Sequence, residues 1–133
     1  MLNTAYVNPV LPAQDGRRAR AFYRDVLGLK ILSGPDDDPM MFEAGAGTSL
    51  VVTELPERVP PPYPMVSFRV TGIEELVREL EARGVTFEMP APSSFQGQPG
   101  EAAGAVMDYG PVRSAMFKDT EGNVLALNEI ADL

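Results

Sequence analysis

The stretch MVSFRVTGIEELVRELEARG, residues 65–84, changes its apolar period halfway along. From Met65 to Val70 large apolar residues alternate, which predicts a strand with Val66, Phe68 and Val70 on one face and Met65, Ser67 and Arg69 on the other. From Ile73 the apolar residues fall at Ile73, Leu76, Val77 and Leu80, the i, i+3, i+4, i+7 spacing of an amphipathic helix. Thr71-Gly72-Ile73-Glu74 fits a capping box, in which the Thr71 and Glu74 side chains satisfy orphan amides reciprocally. Gly84 stands where a helix C-cap glycine is expected.

Working outward, the same order of elements occurs upstream. Thr4 to Leu11 predicts a strand with Tyr6, Val7, Val10 and Leu11 as its body. Asp15 precedes a helical stretch, GRRARAFYRDVL, whose Phe22 and Val26 fall at i, i+4, and Gly28 closes it. Strands follow at Leu29–Leu32, MMFEA (40–44) and TSLVVTE (48–54), the last two joined by a turn at Gly45-Ala46-Gly47. Downstream of residue 84, Val85–Phe87 begins a strand, and Ser114–Phe117 and Val124–Leu127 flank a turn at Thr120–Asn123. Pro56 to Pro64 holds five prolines in nine residues, a composition that no helix or central strand tolerates. The expected organisation is one domain, 1–133, with a first module at about 1–55, a connector at 56–64 and a second module at about 65–133. The fold class is α+β: two βαβββ modules forming a curved, cupped mixed sheet with helices outside. Residues 89–110 are rich in Gly, Pro, Ala and Ser around Phe95, Met107 and Tyr109, and are expected to form a long loop that closes over the pocket as a lid.

Composition narrows the chemistry. The 133 residues contain no cysteine and no histidine, which removes thiolate sites, cysteine nucleophiles, the commonest metal ligand and the commonest general base at neutral pH. The 11 basic residues against 19 acidic ones leave a net charge of −8, which repels phosphate backbones and argues against nucleic-acid binding. No apolar run reaches the length of a membrane span, so no membrane partner and a cytoplasmic location are expected. Asp36-Asp37-Asp38 lacks the spaced donors and closing glutamate of a calcium loop and reads as a solvated turn. Glu43, Glu54 and Asp108 include no pair whose spacing marks it as an acid and a base, so the catalytic residues are unknown.

RARAFYRDVLGLKIL (18–32), MVSFRVTGIEELVRELEARGVTFE (65–88) and FKDTEGNVLALNE (117–129) together resemble the vicinal oxygen chelate superfamily, which contains glyoxalase I, extradiol dioxygenases and bleomycin-resistance proteins. The resemblance covers nearly the whole chain. It implies a divalent metal site inside the sheet, at positions that here correspond to Asn8, Met65, Ala126 and, in some members, Val51. Apart from a weak amide oxygen on Asn8, none of these side chains can ligate a hard or borderline divalent ion. The resemblance therefore implies the scaffold without its usual Lewis-acid mechanism, and no cofactor is expected.

Strand alternation yields a ligand-binding lining of Asn8, Val51, Thr53, Met65, Ser67, Arg69, Ala126 and Asn128, with Tyr109 available to cover a bound aromatic group. Sparse polar groups on an apolar wall are the usual composition of a small-molecule site. Arg69 could grip an anionic group with its planar fork or pair with a surface carboxylate. Met65 and Val51 could equally fill core. The expected function is metal-free binding of a small hydrophobic or amphipathic molecule, an antibiotic among the candidates, by a homodimer; the acidic charge suits a cationic drug. A metal-independent lyase, isomerase or cyclase is the alternative, and an interaction module with a collapsed pocket is a third.

Overall fold

The computed structural model describes residues 1–34, 36–57, 59–89, 94–95 and 98–131, with Ser94, Phe95 and Gln98 described in backbone only. Two compact units divide the chain, Met1–Pro60 and Pro61–Leu133.

In the first unit the elements are β1 (Val10–Ala13), α1 (Gly16–Ala21), β2 (Lys30–Ile31), β3 (Met40–Glu43) and β4 (Ser49–Glu54). They form a mixed sheet in the order β1-β4-β3-β2, with β1 parallel to β4. Leu11, Ala13, Met40, Phe42, Leu50 and Val52 are buried, and Ala19 and Phe22 of the helical segment are buried with them. Asp15 caps α1 by accepting from the amides of Arg17 and Arg18 at 3.1 and 3.2 Å, which supplies two of the acceptors that a helix start lacks. After six residues the helix widens into a π turn over Phe22–Val26, where the Leu27 amide reaches back to the Phe22 carbonyl. Phe22 and Tyr23 are both buried, and the Tyr23 ring lies 5.6 Å from Phe42. Periodicity singled out Phe22 with Val26 and missed Tyr23, because the wider turn changes which residues face the sheet.

The predicted first strand is shorter than expected. A 3₁₀ turn takes Leu2–Thr4, and Tyr6 and Val7 are exposed. The parallel register sets Val10 against Val51, so residues before Asn8 run past the start of β4 at Ser49 and have no backbone to pair with.

The second unit contains β5 (Pro64–Arg69), α2 (Ile73–Ala82), the short β6 (Ser94–Phe95) and β7 (Gln98–Pro99), β8 (Glu101–Ala103), β9 (Val106–Asp108), β10 (Val112–Lys118) and β11 (Val124–Ile130). Five of these strands form a mixed sheet in the order β5-β11-β10-β9-β8, and Phe87 bridges to Phe117 on β10. The α+β class with two mixed sheets is as expected. The second sheet gains two strands that the reading of 89–110 as an irregular loop did not foresee: Glu101–Ala103 and Val106–Asp108 pair as a hairpin, with Gly104 at φ 62° in its turn. Small residues there serve a tight turn and an edge pair, not a loose loop.

The capping box is also corrected. Gly72 occupies the N-cap at φ 66°, a left-handed conformation that Thr71 cannot share cheaply, and no side chain of the segment caps the helix. The amides of Gly72 and Ile73 donate instead to the Glu129 carboxylate of β11, at 2.7 and 3.4 Å. Glu129 also accepts from Arg113 at 3.3 Å, and Arg113 pairs with Glu74. A carboxylate at the positive end of a helix, held by a guanidinium, ties α2 to both central strands.

Glu129→Gln removes that charge while keeping the shape. It is expected to lower unfolding stability by about 1–3 kcal/mol, the range for a lost charge-assisted bond with partners left unsatisfied. Urea unfolding followed by circular dichroism checks this.

Candidate functional site

Each sheet has a face that packs against its helix and a face turned away from it. In the first unit, Leu50 and Val52 are buried while Ser49, Val51 and Thr53 are half-exposed, the alternation the sequence predicted. Register places Val10 and Met41 beside Val51 on this second face. Asn8 joins it: its side-chain oxygen accepts from the Ser49 hydroxyl at 3.2 Å.

In the second unit the face on the α2 side holds Phe68, Leu125, Leu127, Ala115 and Phe117, with Phe87 and Phe117 rings 5.3 Å apart. The opposite face holds two cross-strand rows. One runs Ser67, Ala126, Met116, and the other Arg69, Asn128, Ser114, Met107. The Asn128 amide donates to the Ser67 hydroxyl, which joins the rows. Met65 lies at the irregularity where Val124 pairs with Pro64 and Leu125 with Val66. Ser67 and Arg69 are exposed, Met65, Met116, Ser114 and Asn128 half-buried, and Ala126 buried at 5 %. The structure thus brings Ser67, Arg69, Ala126 and Asn128 together on one face, with Met65 at the irregular start of β5, and Asn8, Val51 and Thr53 on the corresponding face of the first unit.

Sequence reasoning missed Ser114, Met116 and Met107 on the second-unit face. Alternation from Phe117 on the predicted strand puts Ala115 on the core face and Met116 and Ser114 on the other, which would have found the first two.

Tyr109 and Met107 both pack against the chain at Gly100. A Cβ at Gly100 would stand 2.6 Å from the Tyr109 ring and 2.9 Å from Met107 Cγ, so both side chains press on the Gly100 backbone. Met107 is 4 % exposed and belongs to β9, and the Tyr109 amide closes the next turn by donating to the Val112 carbonyl at 2.9 Å. The expected lid is therefore corrected for residues 100–110, which are anchored to the sheet. Residues 90–93 and 96–97 and the Phe95 side chain lie outside the described part.

The metal positions do not fit a metal. Asn8 is engaged with Ser49, and Val51, Met65 and Ala126 offer no hard donor. Among the described residues no group of three or more Asp, Glu, His or Cys side chains could hold an ion. The Asp36–Asp38 turn is committed to backbone amides: Asp37 accepts from Gly34 at 2.7 Å and Asp38 from Glu54 at 3.0 Å. A cleft of about 120 Å³ opens beside it, lined by Arg17, Arg20, Met40, Glu54 and the three aspartates. Its four carboxylates outnumber its two arginines, and two of the four already accept backbone amides.

Residues 6–45 match the family described as bleomycin resistance protein-like N-terminal. No curated protein matches the chain in sequence. Solved structures share its fold. An antibiotic binding protein, TnmS3, from Streptomyces sp. CB03234 is similar with TM-score 0.69 and 24 % identity, over 98 % of this chain and 99 % of that one. A glyoxalase/bleomycin resistance protein/dioxygenase from Alicyclobacillus acidocaldarius is similar with TM-score 0.70 and 19 % identity, over 97 % and 93 %. A lactoylglutathione lyase from Agrobacterium tumefaciens is similar with TM-score 0.66 and 21 % identity, over 95 % and 93 %. Together these agree with the resemblance drawn from the sequence: a bleomycin-resistance-like match over residues 6–45, and the fold of glyoxalase and bleomycin-resistance proteins over nearly the whole chain.

The donor set at the four family positions predicts purified protein with far less than one transition metal per chain. Elemental analysis after removal of any purification tag checks this, and one zinc, iron, nickel or manganese per chain would contradict it.

Proposed function

We propose that the protein binds a small hydrophobic or amphipathic molecule without a metal, against the sheet face that turns away from α2. One observation supports this most strongly. Ser67 and Asn128, joined by a hydrogen bond, stand with their cross-strand neighbours Arg69 and Ser114 beside Met116 and Ala126 on one face, a few directed groups on an apolar wall. Methionine side chains adapt to irregular apolar shapes, which suits a ligand that is held and not transformed.

The ligand class extends to antibiotics by analogy with the antibiotic binding protein of the same fold. A metal-independent lyase, isomerase or cyclase needs an acid and a base at the reacting atoms. The strand positions of this face carry no carboxylate, because Glu101, Asp108 and Glu129 all fall on the α2 side. Binding is the reading that this face supports.

Ser67→Trp places an indole on the face at an exposed position and is expected to abolish saturable binding of drug-sized aromatic compounds while leaving the melting temperature nearly unchanged. Ligand-detected NMR with wild type and variant decides it. Binding that persists unchanged in the variant, or a wild type without saturable binders, contradicts the proposal.

The working unit is a cytoplasmic homodimer in this reading. Light scattering at micromolar concentration is expected to give twice the 14.4 kDa chain mass, and monomer mass alone contradicts it.

A further inference from the structure

Charge on the second-unit sheet is sorted by face. The strand carboxylates Glu101, Asp108 and Glu129 lie on the α2 side, where Arg113 pairs with Glu129 at 3.3 Å and approaches Asp108 at 4.0 Å. The opposite face carries Arg69 and Lys118 on its strands. Lys118 reaches Glu88, the carboxylate flanking that face, at 3.6 Å and is neutralised by it. Arg69 makes no ion pair among the described residues. A chain with net charge −8 therefore presents, on the face proposed to bind ligand, one uncommitted guanidinium and no uncommitted strand carboxylate.

Position makes that cation useful. Arg69 is cross-strand partner to Asn128, which is partner to Ser114, while Ser67 and Asn128 are joined by a hydrogen bond. The guanidinium thus stands at the end of a row of amide and hydroxyl groups, with Ala126 and Met116 in the neighbouring row of the same face. A planar fork of N–H donors is matched to two oxygens of one carboxylate, and neighbouring amide and hydroxyl groups can complete an anion's hydrogen bonds.

From this sorting we infer that the ligand is an amphipathic monoanion, an aromatic or aliphatic body bearing a carboxylate or similar oxyanion, bound head-first at Arg69. This rests on the binding reading and specifies the ligand's charge. It also reverses the expectation from bulk composition: the overall acidity suggests a cationic partner, but the local face selects against one. Overall charge acts at long range and is screened within about 8–10 Å at physiological salt, whereas a direct ion pair on the face is made at contact.

The test uses three probes with one aromatic body: 2-naphthoate, neutral 2-naphthamide and 2-naphthylmethylammonium. Isothermal titration with the full chain at low salt is expected to show naphthoate binding about tenfold more tightly than naphthamide, as a charge-assisted pair provides, with the ammonium weakest. Arg69→Gln is expected to erase that preference by bringing naphthoate affinity down to that of naphthamide, and Arg69→Lys to retain part of it. Equal binding of all three probes, tighter binding of the ammonium, or a preference that survives Arg69→Gln overturns the inference while leaving the binding reading in place. Failure of all three probes to bind overturns both. A thermal melt of each variant confirms that the fold is intact.

Discussion

The structure of the second unit depends on the register of β11 between β5 and β10. Side chains alternate strictly along a strand, so a slip of one residue would exchange every position between faces. In the register observed, Leu125 and Leu127 go to the α2 side with Phe117 and Ala115, and Ala126 and Asn128 go to the other with Met116 and Ser114. Glu129 is pinned to the helix side by the α2 amides and Arg113, which opposes any slip. The same pairing therefore supplies the core, the helix cap and the composition of the face proposed to bind ligand. The sorting of charge follows from it: the residue that caps the helix is also kept off the face proposed to bind ligand.

Much of this was legible because it rests on short-period patterns. Ile73, Leu76, Val77 and Leu80 marked α2, and Ile73, Val77 and Leu80 are its buried residues. The alternation in SLVVTE and MVSFR placed Val51, Thr53, Ser67 and Arg69 on the faces they occupy, and Asp15, Gly28 and Gly84 ended or began helices where expected. These signals are local, and each depends on backbone geometry that the residue types themselves favour.

The first two misreadings were settled by a partner distant in sequence, the third by a hairpin whose turn and edge pairing leave no periodic signal. Tyr6 and Val7 have the composition of a strand, but β4 begins too late to pair with them. Thr71 and Glu74 have capping-box spacing, but Glu129 takes the amides, Glu74 turns to Arg113, and Gly72 enters a conformation that moves the helix start. Met107 and Tyr109 have the look of a lid, but Gly100 leaves room for both against its backbone and the hairpin holds them. No periodicity reports such long-range competition.

One claim is central: the proposed ligand rests on the face carrying Arg69 and Met116, beside Met65 at the irregular start of β5. The chain's seven methionines report on it directly when their methyl groups are labelled with carbon-13 for NMR. Titration with 2-naphthoate is predicted to shift the Met65 and Met116 signals together and saturably, while Met40, beside the charged cleft of the first unit, stays in place. Shifts confined to Met40, or saturable binding that moves neither Met65 nor Met116, would contradict the account.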